Sequence, residues 1–363
     1  YFVMKICLIG QNLTNLILAY LFSEKKLNVD IYLNKKIQKV KTNRTIALSC
    51  ENFDYLKSLT KSNIKHWKSK EIKIFTEDSR SKEKINFNKK NKEVFNLISY
   101  SELNEIFLKK VKKSKFIKFF NSDTVSQNIL KKTKIYDLVI NSENKNFISN
   151  KFFTNKINKD YRSRAYTFLI NHRRKNNNIA IQVFTKFGPL AFLPLSNTKT
   201  SIVFSYRGAK IDDEKILDIF KKYNSFYSFT KISKIENFTL SFQMLRNYTN
   251  NNILAFGDLI HRIHPLAGQG FNMTIRDIKI ISKIINDRLS LGLPIDISVA
   301  QDFQSSTKHL NYLYGKAIDG IYEFFRLDSN INNSISKPVF SILNKNSIFK
   351  KYSNILSDKG LNF

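Results

Sequence analysis

The stretch ILAFGDLIHRIHPLAGQGFNMTIRDIKIISKII, Ile253 to Ile285, decides how this chain is read. Ile253 to Phe256 is short and apolar, as a buried strand is, and Gly257-Asp258 marks its exit. Ile260 to Pro265 is a polar loop carrying His261, Arg262 and His264. Gly268-Gln269-Gly270 then breaks the chain, and from Phe271 to Ile285 apolar residues recur at helical spacing. The expectation is a strand, a loop and a helix opened by two glycines. Such a helix start leaves backbone N–H groups unpaired and carries partial positive charge, which suits an anionic phosphate or an electron-rich ring. Asp258, at the strand's end, is placed to accept hydrogen bonds from ligand hydroxyls. For a lone Gly-x-Gly, an ordinary strand-to-helix connection with Asp as a cap explains the same residues.

As a whole, GD-x(5)-HP-x(2)-GQG-x-N-x(3)-RD resembles the second flavin-binding motif of the FAD-dependent class A aromatic hydroxylases. With His-Pro and Gly-Gln-Gly it looks most like the ubiquinone-biosynthesis hydroxylase branch. The resemblance implies that Asp258 meets the ribityl or ribose hydroxyls of FAD. It implies that Gly268, Gln269, Gly270 and Asn272 face the pyrimidine edge of the flavin ring. His264 and Pro265 become flavin-proximal, with no base required of either histidine by the family's chemistry.

At the other end of the chain, Met4 to Ile9 (MKICLI) reads as a strand, LTNLILAYLF as a buried helix and Val29 to Leu33 as the next strand. A dinucleotide fold places G-x-G-x-x-G here, and an acidic residue at the end of the second strand. Gly10 is kept, but the other glycine positions fall on Asn12 and Asn15, and the acidic one near Leu33 or Asn34. A β-α-β packing unit without a ligand explains these residues equally well. Next, NRTIALS (Asn43 to Ser49) resembles a segment of the same branch, which implies that Arg44 lies against the cofactor, at a phosphate or the isoalloxazine region. The run YDLVINSENKNF stands where that family has an Asp-Gly pair; here the pair is Glu143-Asn144, one methylene longer and without the glycine.

Hydrophobic content of 42% and aromatic content of 13% over 363 residues indicate a large core. No apolar run reaches the roughly 18 residues needed to span a bilayer. Phe2 to Ile9 is too short for a secretory leader and lacks its cleavage site, so cytoplasmic residence is expected, and the resemblance to the ubiquinone-biosynthesis branch implies a bacterial protein peripheral to the inner membrane. Cys7 and Cys50 read as small apolar filler. No metal site is expected, since no carboxylate or cysteine completes a local ligand set with His261 and His264. The net charge of +32 comes largely from lysines mixed with Asn and Ile, the residues of A/T-rich codons. Compositional bias explains most of it, attraction to an anionic membrane surface is the next reading, and no nucleic-acid module is recognised.

Between the ends, Ile72 to Phe75 reads as a strand, Ser79 to Lys92 as an exposed hairpin or loop, and Tyr100 to Val111 as a helix capped by Ser101. YTFLI, IAIQVF, LAFLPL and TSIVFS suggest a mainly antiparallel sheet. Asp302 to Phe325 is helical by spacing and Ser336 to Leu356 reads as further short helices; Phe324, Phe325, Phe340 and Phe349 are expected to pack onto the preceding helices, with a membrane-contacting surface beside Lys350 and Lys351 as the alternative.

The fold class is α/β (α+β): a Rossmann-like FAD-binding domain, an inserted mainly antiparallel β-sheet substrate domain and C-terminal helices. The expected segments are 4–60, 95–160 and 245–300 for the FAD domain, 61–94 and 161–244 for the substrate domain, and 301–363 for the helical region. The resemblance implies NAD(P)H- and O2-dependent hydroxylation of a polyprenylated phenol in ubiquinone biosynthesis, through a flavin C4a-hydroperoxide. Partners implied are an anionic membrane surface and other ubiquinone-biosynthesis proteins. Two alternatives stay open: a flavoprotein-like scaffold that has lost catalysis, and an FAD-dependent reductase or dehydrogenase on the same fold.

Overall fold

The computed structural model describes residues 4–33, 40–77, 85–88, 93–121 and 135–330. The short helices expected over Ser336 to Leu356, with Phe340 and Phe349, lie outside the described residues.

The first sheet has six strands in the spatial order Thr249–Asn250, Ile253–Ala255, Leu138–Asn141, Lys5–Ile9, Asn28–Leu33 and Ile117–Asn121. All neighbours are parallel except the first pair. Numbering the five parallel strands along the chain gives the order 3-2-1-4-5 from the far edge, the doubly wound arrangement. A parallel sheet is covered on both faces, which is why its strands are continuous apolar runs. Ile6, Cys7 and Leu8 are fully buried, as are Leu138, Val139 and Ile140. The helix Leu13–Glu24 is buried from Leu13 to Ser23, because its sequence is apolar around the whole circumference.

The second sheet has nine strands and is antiparallel apart from one parallel pair, Ile179–Thr185 with Glu71–Thr76. Its spine is Lys156–His172, flanked by Glu236–Leu245 and Lys199–Arg207. Ile85–Asn88 pairs with Glu71–Thr76, so a strand runs within the expected hairpin. A small third sheet joins Thr45–Ser49, Phe95–Ser99 and Trp67–Ser69.

The opening stretch connects the two large sheets. Ile253–Ala255 is a strand of the first, whereas His261–Arg262 pairs with Gln243 and Met244 at the edge of the second. Five residues, Phe256 to Ile260, therefore carry the chain from one layer to the other, and the helix Gln269–Ser290 follows. The last described helix, Ile297–Asn330, packs on that helix and on the second sheet.

One cap differs from expectation. The helix expected from Tyr100 spans Tyr100–Lys113 with Ser99 at its N-cap, and Ser101 lies inside it. The Ser101 hydroxyl instead accepts from the Thr42 amide at 3.1 Å and donates to the Thr42 carbonyl at 3.0 Å. A hydroxyl facing a neighbouring segment's free backbone groups satisfies two of them, which a cap would not.

Candidate functional site

The singled-out residues gather in two neighbourhoods linked by the strand Thr45–Ser49. The first lies at the start of the helix Leu13–Glu24. Gly10 has φ +106°, and a β-carbon placed there would fall 2.2 Å from Glu143 Oε1 and 2.3 Å from its Cγ. The Glu143 side chain thus lies directly on the glycine. Asn12 caps the helix, its Oδ1 accepting from the Asn15 amide at 3.0 Å, while its Nδ2 donates to Ser142 Oγ at 2.7 Å and Glu143 Oε1 at 3.3 Å. Asn15 is fully buried and donates to the Ile9 and Gly10 carbonyls at 2.7 and 2.8 Å. The two asparagines in the glycine positions therefore knit the turn together with side-chain hydrogen bonds.

Asp258 follows Gly257 (φ +58°) in a single 3-10 turn, and it is exposed. Its carbonyl accepts from Asn144 Nδ2 at 2.9 Å, which brings the Glu143-Asn144 turn beside it. Tyr100 is the hub of this neighbourhood. Arg44 lies over its ring at 5.0 Å, and the Leu13 backbone, Asp258 and Glu143 all act on its hydroxyl electrostatically. Burial, opposed by Arg44, raises the Tyr100 hydroxyl above its ordinary range. Burial also raises the Glu143 carboxyl, opposed by the Asn12 hydrogen bond and reinforced by Asp258. Glu143, Tyr100 and Asn12 were not among the expected cofactor contacts; the sequence signals were that Asn12 stands in a glycine position and Glu143 in an Asp-Gly position.

The second neighbourhood surrounds the start of Gln269–Ser290. Gly268 is its N-cap at φ +67°, with no side-chain capping bond and no acidic residue in the first turn. The Gln269 amide turns to the Leu266 carbonyl, and the amides that follow it have no side-chain cap and suit an outside acceptor. A β-carbon on Gly268 would sit 3.0 Å from Ala47 Cβ, so the Arg44-to-Ser49 segment runs directly against it. Gly270 is different: a β-carbon there would meet only Ile263 Cγ1, at 3.9 Å. Protein packing does not require glycine at 270, whereas a ring approaching the backbone would.

Asn272, expected at the cofactor, is engaged with the protein. Its Oδ1 accepts from the Ser49 amide and Asn52 Nδ2, both at 3.0 Å, and its Nδ2 donates to the Ala47 carbonyl at 2.8 Å. It holds the NRTIALS segment to the helix. Gln269 is also held, its Oε1 accepting from the Tyr314 hydroxyl at 2.5 Å.

His264 and Pro265 precede this turn. His264 is 1% exposed, and neither ring nitrogen has a hydrogen-bond partner among the described residues. Its ring stacks on Tyr322 at 4.1 Å and meets Tyr161 edge-on at 5.4 Å. Burial, with the Arg207 charge nearby, lowers its pKa to about 3, so His264 is neutral near pH 7. Ile263, Leu266 and Met273 share an apolar cluster with Phe184 and Phe242 of the large sheet and with Tyr322 and Phe325 of the last helix. Phe184 and Phe325 stack at 3.5 Å.

Residues 194–289 match the FAD binding domain family model. The chain is 26% identical over 208 residues to the mitochondrial ubiquinone biosynthesis monooxygenase COQ6 of Dictyostelium discoideum, covering 47% of this chain and 42% of that protein. It is 22% identical over 177 residues to the ubiquinone hydroxylase UbiL of Rhodospirillum rubrum, covering 46% and 41%. The match therefore takes in less than half the length of either relative. The fold is close to that of p-nitrophenol 4-monooxygenase from Pseudomonas putida, with a TM-score of 0.78 over 97% of both chains at 7% identity. The chain thus carries a match to an FAD binding domain and has the fold of an FAD-dependent monooxygenase. FAD is the cofactor of this domain, and the residues fit its ring, whereas the Gly10 turn is filled by the Glu143 side chain. At the ring end stand the uncapped helix start and the open side of Gly270. At Gly10 the Glu143 carboxyl oxygen lies on the turn with Asn12 donating to it, a place that an anionic phosphate oxygen would suit once that side chain is displaced.

Proposed function

We propose that this flavoprotein is an NAD(P)H- and O2-dependent oxygenase that hydroxylates the ring of a polyprenylated phenol in ubiquinone biosynthesis. The observation that carries this reading is the uncapped, glycine-opened helix start at Gly268 to Gly270, beside a wall of aromatic and aliphatic side chains. Activation of oxygen is the chemistry of bound, reduced flavin. The chain's own residues do the rest. The helix-start amides favour negative charge on the reduced ring. Asp258 holds hydroxyls of the sugar chain, and Arg44 on its Tyr100 shelf faces the cofactor's anionic part. Neutral His264 and Pro265 border the ring without adding charge, and the aromatic wall excludes water.

The test is turnover of a short-chain prenylphenol with FAD, NADH or NADPH and labelled O2, with product read by mass. One labelled oxygen in the ring is expected. Oxidation of the nicotinamide without labelled product would make the chain a reductase or dehydrogenase instead. A scaffold reading has one observation in its favour, the Glu143 and Tyr100 side chains already lying in the diphosphate cradle. Failure to take up added FAD would favour it.

The substrate's tail requires a visit to a membrane, and the excess of Lys and Arg gives an electrostatic reason to dock on anionic lipid. Among the described residues no helix is long and apolar enough to cross a membrane. Leu313, Ile321 and Leu327 are exposed on the last described helix and could enter the interface. Equal co-sedimentation with neutral and anionic vesicles would remove the electrostatic part of this proposal.

A further inference from the structure

We propose that Glu143 is an internal competitor for the cofactor's diphosphate: its carboxylate occupies the Gly10 cradle, and FAD loads only as that side chain leaves. This rests on the FAD reading above and adds a residue that governs loading.

The geometry is specific. Gly10 is the one glycine kept in the first turn, and the space its missing side chain leaves is filled by Glu143, with Oε1, Cγ and Cδ all within 2.6 Å of where a β-carbon would be. The carboxylate takes the Asn12 amide that stands at the helix start, as a phosphate oxygen would. A second group sits nearby, since the Tyr100 hydroxyl is close enough to the Leu13 backbone in the first helical turn to be influenced by it. Asp258 adds a further negative charge. A diphosphate entering this space meets an overlapping side chain and two carboxylates, with the Arg44 guanidinium over the Tyr100 ring as the nearby positive charge.

The obstruction is confined to a side chain. The Glu143 amide donates to Asn141 Oδ1 at 3.2 Å and its carbonyl accepts from the Ser149 hydroxyl. Asn141, Asn146 and Ser149 are buried and bonded to one another. With the backbone held on both sides, clearing the cradle means rotating the Glu143 side chain outward, and shortening or removing that side chain should clear it permanently.

The experiment compares FAD and riboflavin binding to the full chain, to Glu143→Asp and to Glu143→Gly, by quenching of flavin fluorescence. Asp draws the carboxylate back by one carbon–carbon bond, about 1.5 Å, while keeping its charge. The expected result is that the FAD dissociation constant falls about tenfold or more in Glu143→Gly, the scale of one charged hydrogen bond and its desolvation. A smaller gain is expected in Glu143→Asp, and riboflavin, which has no diphosphate, should change less than twofold in either. Flavin binding with no gain for FAD in both variants, or an equal gain for riboflavin, overturns the proposal alone. No flavin binding by any of the three, in protein whose thermal melt shows it folded, overturns the FAD reading and this proposal with it.

Discussion

The imidazole of His261 and the carboxylate of Asp277 meet at 2.7 Å, Nε2 to Oδ2, and each side chain is 1% exposed. Asn311 of the last described helix donates to the other Asp277 oxygen at 3.1 Å. Three elements are thereby tied at one buried carboxylate: the short strand after the Asp258 turn, the motif helix and the last helix. Removing one partner leaves the others buried and unpaired. Asp277→Ala is expected to lower stability by about 3 kcal/mol, and Asp277→Asn by less than half of that. Urea unfolding measures both, and a negligible loss for Asp277→Ala would show that the pair does not hold these elements.

Gly268 and Gly270 should separate two roles that the motif's spelling merges. Gly268→Ala forces a side chain into a left-handed backbone and against Ala47, so a loss of about 1–2 kcal/mol is expected with no flavin present. Gly270→Ala has room and sits in a helix, so apo stability should hold or rise by roughly 0.5–1 kcal/mol. Its flavin affinity should nevertheless fall. Thermal melts with and without FAD distinguish the two, and undiminished FAD binding in Gly270→Ala would mean that no ring approaches that turn.

Asp258 is exposed, so its removal should cost the apo fold little, within about 0.5 kcal/mol. Asp258→Ala is expected to lose bound flavin on purification. A variant that retains its full flavin absorbance would place the sugar-chain contact elsewhere.

Acid stability should report His264. Its pKa is lowered to about 3 in the folded chain, below the ordinary histidine value, so the unfolded chain takes up this proton first as pH falls. Stability from this group is therefore full above the ordinary value and declines by about 1.4 kcal/mol per pH unit from near 6.5 toward 3. His264→Phe keeps a ring against Tyr322 and has no proton to gain. The difference in unfolding free energy between pH 7 and pH 5 should shrink in the variant; an unchanged difference would mean that His264 is not the group that titrates.

Much of the fold was legible from periodicity. The β-α-β start, the antiparallel strands and the Gly-Gln-Gly helix occur where their patterns place them, because continuous apolar runs and helical spacing are local consequences of burial. The Ser101 cap was misplaced because a hydroxyl chooses among acceptors, and the Thr42 backbone lies within reach only after folding. Asn272 has further partners that only the fold brings to it. Its place in the motif suggests a ligand contact, yet its amide is engaged by Ser49, Asn52 and Ala47.

By itself the sequence determined the elements, their order and the two glycine turns, since each depends on a few neighbouring residues: spacing that buries one face, or a backbone angle that only glycine adopts cheaply. Only the tertiary structure decided what lies over Gly10. Asn12 and Glu143 are 131 positions apart, and Tyr100 reaches the same helix start from a third segment. Such contacts follow from how the strands are ordered in the sheet, and no local pattern encodes them. The carboxylate in the anion cradle is therefore visible as a substitution in the sequence and as an obstruction only in the fold.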